Sequence, residues 1–301
     1  MEVILAEHAG FCFGVKRAVD MLEGELAAAD GRLPIFTWGP IIHNDEVVRD
    51  FSSRGVRAVE SLKELEEAAG EKDAGKTPRG IVVIRAHGVP REISQAIGDA
   101  GFAVVDATCP FVKRIHGIVE SAGREGRSVI VVGDPSHPEV EGIVSWVSAA
   151  PGIAVRVVET AEQADRLDLP KGTSVTVVAQ TTFRATKFQE IVEIIRGKEY
   201  DVNIAGTICS ATEERQSEAK ALAARVDAMI VVGSARSSNT RKLYEICESL
   251  CPHTTFVHTP EDHRFDIPEG ARRVGITAGA STPQKIIEEV LKNVRSGQEF
   301  H

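Results

Sequence analysis

A chain of 301 residues with 43% hydrophobic and 26% charged residues has the make-up of a globular protein able to bury a substantial core. Its net charge of −9 weighs against a nucleic-acid partner, because that class carries basic surface to meet phosphates. No apolar run is long enough to span a bilayer and the N-terminus lacks a basic leader followed by an apolar stretch, so the cytoplasm is the expected location, with no membrane partner.

In chain order, β-rich apolar runs read as strands at 3–5, 81–84, 103–105, 128–132, 174–178, 227–232 and 273–276. Amphipathic periodicity predicts helices over 15–29, 90–100, 112–123, 186–196, 213–225, 240–249 and 283–294. Strands alternating with helices indicate an α/β protein whose mostly parallel sheets are covered by helices. The stretch 60–80 is polar and reads partly as loop, and 296–301 (SGQEFH) reads as a frayed end.

Three cysteines recur at near-even intervals: Cys12, Cys109 and Cys209, 97 and 100 residues apart. The stretches that follow Cys109 and Cys209, the second and third lobes, also match each other. Gly133 and Gly233 each lie 24 residues past their cysteine, His137 and Ser237 28 past, and Thr181 and Ser281 72 past. Repeated offsets point to repeated supersecondary units, with lobes expected at 1–107, 108–207 and 208–301. The first lobe follows more loosely, carrying His43 and His87.

Each of these cysteines neighbours turn-forming or helix-starting residues. The plain reading is a buried thiol acting as a small hydrophobe. The alternative is a thiolate stabilised at a helix N-terminus, three of them sharing one centre. Zinc would normally recruit a nearby CxxC or CxxH, absent here, whereas a [4Fe–4S] cube accepts ligands from distant segments and leaves one iron open. Such a cluster, on Cys12, Cys109 and Cys209, is the expected cofactor. Cys247 and Cys251, at i,i+4 on a predicted helix, read as packing.

In open parallel sheets ligands collect at the carboxyl ends of strands, and those ends carry His43, His87, His137, Thr181, Ser237, Ser238, Asn239 and Ser281. Imidazoles, hydroxyls and helix-start amides suit an anion such as phosphate. Individually, each histidine reads equally as structural and each serine as a helix cap. No GxxxxGK[ST] or GxGxxG fingerprint is present. Glu139 is the proton-transfer candidate, with Thr181 and Thr182 to orient the proton or a substrate hydroxyl; Asp134 and Glu141 nearby make surface charge the alternative.

The ordered set GFCFGV, HNDEVV, RAHGVP, DATCPFV, HPEVEG, AQTTF, TICSATEERQ, SSN and GAST spans essentially the whole chain. It resembles the LytB/IspH family of 4-hydroxy-3-methylbut-2-enyl diphosphate reductases. The resemblance implies three pseudo-threefold-related α/β domains in a cloverleaf around a central [4Fe–4S] cluster, ligated by Cys12, Cys109 and Cys209. It implies diphosphate binding by His43, His87, His137, Ser237, Ser238, Asn239 and Ser281, with Glu139, Thr181 and His137 as the catalytic group. The implied reaction is a two-electron, two-proton reductive dehydroxylation in isoprenoid precursor biosynthesis. Ferredoxin or flavodoxin is the implied electron donor, and a monomer or weak homodimer the expected state. Asp134 stands where relatives often have histidine and Lys113 where many have threonine, departures expected to touch only surrounding residues. The rival readings are a non-redox lyase and an iron–sulfur sensor.

Overall fold

The computed structural model describes residues 1–70, 78–148, 151–259 and 265–296, so that most of the expected frayed end lies outside the described residues. The chain begins with β1 (Glu2–Leu5) and α1 (Phe13–Ala29). A first run follows: β2 (Ile35–Trp38), α2 (Asp45–Ser53), β3 (Arg57–Val59), α3 (Leu62–Ala69), β4 (Ile81–Ile84), α4 (Arg91–Asp99) and β5 (Ala103–Asp106). The second run comprises α5 (Pro110–Arg124), β6 (Ser128–Val132), α6 (Pro138–Ser145), β7 (Val155–Val158), α7 (Ala161–Asp165), β8 (Ser174–Ala179), α8 (Ala185–Arg196) and β9 (Asp201–Ile204). The third is α9 (Ser210–Ala223), β10 (Ala228–Val232), α10 (Ser238–Glu248), β11 (Thr254–Val257), β12 (Arg273–Ala278) and α11 (Gln284–Ser296).

These strands form three four-stranded parallel sheets, ordered β3-β2-β4-β5, β7-β6-β8-β9 and β11-β10-β12-β1. The layout repeats: the second strand lies outside the first, then the third and fourth follow on the other side. The third sheet takes its fourth strand from the chain start, Glu2–Leu5 pairing with Arg273–Ile276. The result is three similar α/β sub-domains. By contacts the chain divides into a smaller unit (Met1–Lys16, His43–Val47 and Cys209–His301) and a larger one (Arg17–Ile42 and Val48–Ile208). The smaller holds the third sheet and the larger holds the other two.

The central strands form where they do because runs such as IVVI in β4, VIVV in β6 and IVV in β10 are apolar and β-branched, which suits a sheet covered on both faces. Alternation then sorts side chains to opposite faces. In the sheet around β6, Ile130, Val132, Val175 and Val177 pack against Phe188, Ile191, Val192 and Ile195 of α8. The other face sets Val129, Val131 and Val178 against Ile115 and Val119 of α5 and Val140 and Ile143 of α6. The third sheet repeats this: Ile230, Val232 and Ile276 meet Ile286, Ile287, Val290 and Val294 of α11. On its other face Met229 and Val231 meet Leu222, Leu243, Cys247 and Cys251. Cys247 and Cys251 are thus packing residues, and burial pushes the Cys247 thiol up to about 12.

Two glycines bring the strand ends and helix starts together. Any Cβ at Gly133, just past β6, would lie 2.8 Å from Val140 and 2.9 Å from Gln180. At Gly233, past β10, where φ is +146°, it would lie 2.6 Å from Thr282 Oγ1. Only glycine permits that approach. It is what seats the following helix start against the end of the third strand.

Candidate functional site

Each sheet reverses its connection direction between its first and third strands, and the crevice outside that switch point is where parallel sheets bind ligands. The loops leaving the first and third strands carry the candidate residues in each sub-domain: His43 and His87 follow β2 and β4, His137 with Glu139 and Thr181 follow β6 and β8, Ser237–Asn239 and Ser281 follow β10 and β12. The three cysteines follow the fourth strands, β1, β5 and β9.

In the larger unit the switch point between β6 and β8 is closed by one pair. Glu139, in the first turn of α6 and only 1% exposed, accepts the Thr181 backbone N–H at 2.6 Å and the Thr181 hydroxyl at 2.8 Å. Burial raises its pKa to about 7, against the lowering pull of both Thr181 donors. A carboxyl that titrates near neutrality can both hold a proton and release it there, the requirement for a general acid. His137 caps α6, and its Nδ1 accepts the Glu139 backbone N–H at 3.1 Å. In the neutral ring the proton therefore sits on Nε2, which is then a donor. His87 meets the His137 ring edge-on, centroids 5.2 Å apart. Thr181→Val removes the hydroxyl donor alone. The alkaline limb of the pH–rate profile should then move upward and kcat fall roughly tenfold; a limb that moved down would refute this hydrogen-bond direction.

In the smaller unit the corresponding switch point lies between β10 and β12. Ser237 caps α10, its Oγ accepting the Thr240 N–H at 3.3 Å. Asn239 Oδ1 accepts the Ala280 N–H at 3.0 Å, and its Nδ2 is buried with no protein partner. Ser281 Oγ donates to the His43 carbonyl at 3.1 Å. Ser237, Ser238, Asn239 and Ser281 are all at most 5% exposed. Ser237, Ser238 and Asn239 open the eleven-residue helix α10, and Asn239 ties them to the loop of Ser281; hydroxyl and amide groups at a helix start can meet an anion.

The expectation of a [4Fe–4S] cluster on Cys12, Cys109 and Cys209 with one open iron is corrected. Among the described residues the group of side chains able to hold a metal is His43, His87 and His137, and it includes no cysteine. The physical reason lies at the helix starts, where sulfurs are engaged locally. Cys12 Sγ accepts the Val15 N–H at 3.5 Å, and Cys209 Sγ meets Thr212 Oγ1 at 3.1 Å. Cys109, like Cys209, is the N-cap residue of its helix, and no disulfide joins any of the five cysteines. The three-cysteine set does not fit the cluster as expected.

Three residues passed over in the sequence also belong to these sites. Gln180, fully buried beside Thr181, accepts the Asp134 N–H at 3.3 Å and fixes the loop before His137. Its place within AQTTF was the available signal. Arg215, 6% exposed, donates to the Gly10 carbonyl at 2.7 Å and the Ala211 carbonyl at 2.9 Å. Burial lowers its pKa, while the neighbouring sulfurs of Cys12 and Cys209 oppose that shift. Nothing in a charged TEERQ run separates it from surface charge. Thr240, fully buried next to Asn239, was readable only as the third residue of a capping pattern.

Repeated α/β sub-domains with a buried, proton-holding carboxyl and buried anion donors at their switch points define an enzyme acting on a small anionic molecule. The LytB protein family matches residues 3–295, and the chain belongs to it. A 4-hydroxy-3-methylbut-2-enyl diphosphate reductase of Caldanaerobacter subterraneus subsp. tengcongensis is 39% identical over 298 residues, covering 98% of this chain and 97% of the relative. The corresponding reductase of Aquifex aeolicus is 42% identical over 295 residues, with 98% and 96% covered. A solved structure of (E)-4-hydroxy-3-methyl-but-2-enyl diphosphate reductase, the terminal enzyme of the non-mevalonate pathway, is similar at 40% identity and TM-score 0.67, covering 98% of this chain and all of that one. The Plasmodium falciparum E-1-hydroxy-2-methyl-but-2-enyl-4-diphosphate reductase structure is similar at TM-score 0.83 and 27% identity, with 97% and 87% covered.

Proposed function

We propose that this chain carries out its family's reaction, the reductive dehydroxylation of 4-hydroxy-3-methylbut-2-enyl diphosphate to isopentenyl and dimethylallyl diphosphates in the non-mevalonate pathway. It is an iron–sulfur-dependent oxidoreductase of the LytB family. Two electrons and two protons are consumed, the C–O bond breaks, and water leaves. The observation that carries this reading is the buried Glu139–Thr181 pair beside His137. It supports a proton held at neutral pH where an allylic hydroxyl must depart as water, a far better leaving group than hydroxide.

Glu139 is assigned the proton donation and Thr181 the orientation of donor and substrate hydroxyl. Diphosphate binding is assigned to His87 and His137 of the larger unit, with His137 Nε2–H as a donor, and to His43, Ser237, Ser238, Asn239 and Ser281 of the smaller. Imidazole, hydroxyl and amide donors suit phosphate oxygens, and remote binding energy spent there orients the reacting end. These roles concern protons and binding only. Electrons delivered singly fit a ferredoxin or flavodoxin donor, and the cytoplasm is the assigned location.

Anaerobic incubation of the holoenzyme with substrate, with and without a one-electron reductant, tests the proposal. Both olefinic products should form, and only with reductant. Conversion without electrons would replace the proposal with a lyase, and binding without turnover would replace it with a sensor.

A further inference from the structure

The residues that close the far end of α6 face the segment carrying His87. α6 is an eight-residue helix, so about 12 Å of rigid backbone separates its start from its end. His137 and Glu139 stand at the start. Trp146 is the C-cap residue at the end. Its indole Nε1–H donates to the Val89 carbonyl at 3.2 Å, two residues beyond His87. Ser145 Oγ, one residue earlier, accepts the Arg91 backbone N–H at 3.4 Å. The 87–91 segment is therefore fastened to the C-terminal end of the helix whose N-terminal end presents His137.

The indole ring itself meets two further side chains. His116 of α5 stacks on it with centroids 4.9 Å apart and planes 7° from parallel. The Arg91 guanidinium lies over it, 4.5 Å from a ring centroid, and is tied to Glu120 of α5. Burial lowers the His116 pKa to about 4, so this partner is a neutral ring at working pH. A cavity of ≈ 290 Å³ adjoins the stack, lined by Val89, Thr108, Lys113, His116 and Trp146 among others. Close packing does not enclose the indole on every side. Its orientation comes from the stack on His116, the Arg91 guanidinium and the bond to Val89.

We infer that Trp146 is a positioning residue for the reaction: through its bond to Val89 it sets where His87 stands against His137. This rests on the reading that these two imidazoles grip the diphosphate. Two donors converging on one anion bind it well only at a fixed separation, and His87 is carried on a loop whose anchor is that indole N–H.

The test uses full-length W146F, which keeps an aromatic ring and loses the N–H, alongside H87A and the parent. KM and kcat for the diphosphate substrate, the Kd of inorganic pyrophosphate by calorimetry, and the ring 15N–1H signals of His87 and His137 are measured. W146F should raise KM and the pyrophosphate Kd roughly five- to tenfold, with kcat within about twofold, and shift the His87 signals while leaving those of His137 in place. H87A should raise KM at least as far. Parental KM and His87 signals in W146F, with KM raised in H87A, would reduce Trp146 to packing and overturn the inference. An unchanged KM in H87A would remove the diphosphate reading and the inference with it. Should W146F fold poorly, S145A cuts the second tie without touching the ring. Its KM should rise in the same direction, and a parental value there overturns the proposal equally.

Discussion

Glu139→Gln should lower kcat by about 10²- to 10³-fold while changing KM little, because it removes the transferable proton and keeps a side chain of the same shape. The pH dependence sharpens the expectation. With a pKa near 7, Glu139 is the proton-bearing species below neutrality. Parental kcat should therefore hold below about pH 7 and fall tenfold per unit above it, whereas the residual activity of E139Q should be flat. The sign for stability follows the same proton. A buried carboxyl raised from 4.5 to about 7 binds its proton more tightly folded than unfolded. Its contribution, on the order of 3 kcal/mol, is fully present below pH 4.5 and is lost as pH rises through 7. Denaturant titrations at pH 5 and pH 8 should show that loss in the parent and not in E139Q. A parental rate in E139Q would remove Glu139 from the chemistry.

Asn239→Asp should raise KM by about 10²-fold or more, the second large effect. Asn239 uses its Oδ1 to hold the Ala280 N–H and leaves a buried Nδ2 without a protein partner. A buried donor left unpaired costs about 1–3 kcal/mol, so its retention points to a ligand oxygen. Aspartate keeps the acceptor for Ala280 and places an anion where the diphosphate's oxygens are proposed to lie, turning a donor into a repulsion. The folded core should survive, since the Ala280 link does. Calorimetric titration with pyrophosphate separates the cases: affinity equal to the parent's would mean that Asn239 serves the β12 loop alone.

Much of the fold was legible because the signals are local. The apolar run 129–132 and the i,i+3,i+4 spacing in 112–123 reflect the period of the element each residue sits in, whatever lies across from it. The identical offsets from Cys109 and Cys209 also survived into structure, as equivalent positions after equivalent strands. Short elements were harder. β3 spans Arg57–Val59 and has only one buried residue, and α7 spans Ala161–Asp165, so neither carries a full period of pattern. β9 alternates Asp201, Val202, Asn203, Ile204, a strand pattern too short to stand out until its pairing with β8 is seen.

The sequence by itself determined the α/β class, the repeated layout and the residue types at the strand ends, because propensity, periodicity and turn chemistry act within a few residues. Tertiary structure alone decided that β1 completes the third sheet and that Glu139 is buried against Thr181, 42 residues away. It likewise decided that the Trp146 indole N–H meets the Val89 carbonyl beside His87. Desolvation and donor geometry depend on which distant segments meet, and those meetings turn an ordinary glutamate in HPEVEG into an acid that titrates near neutrality.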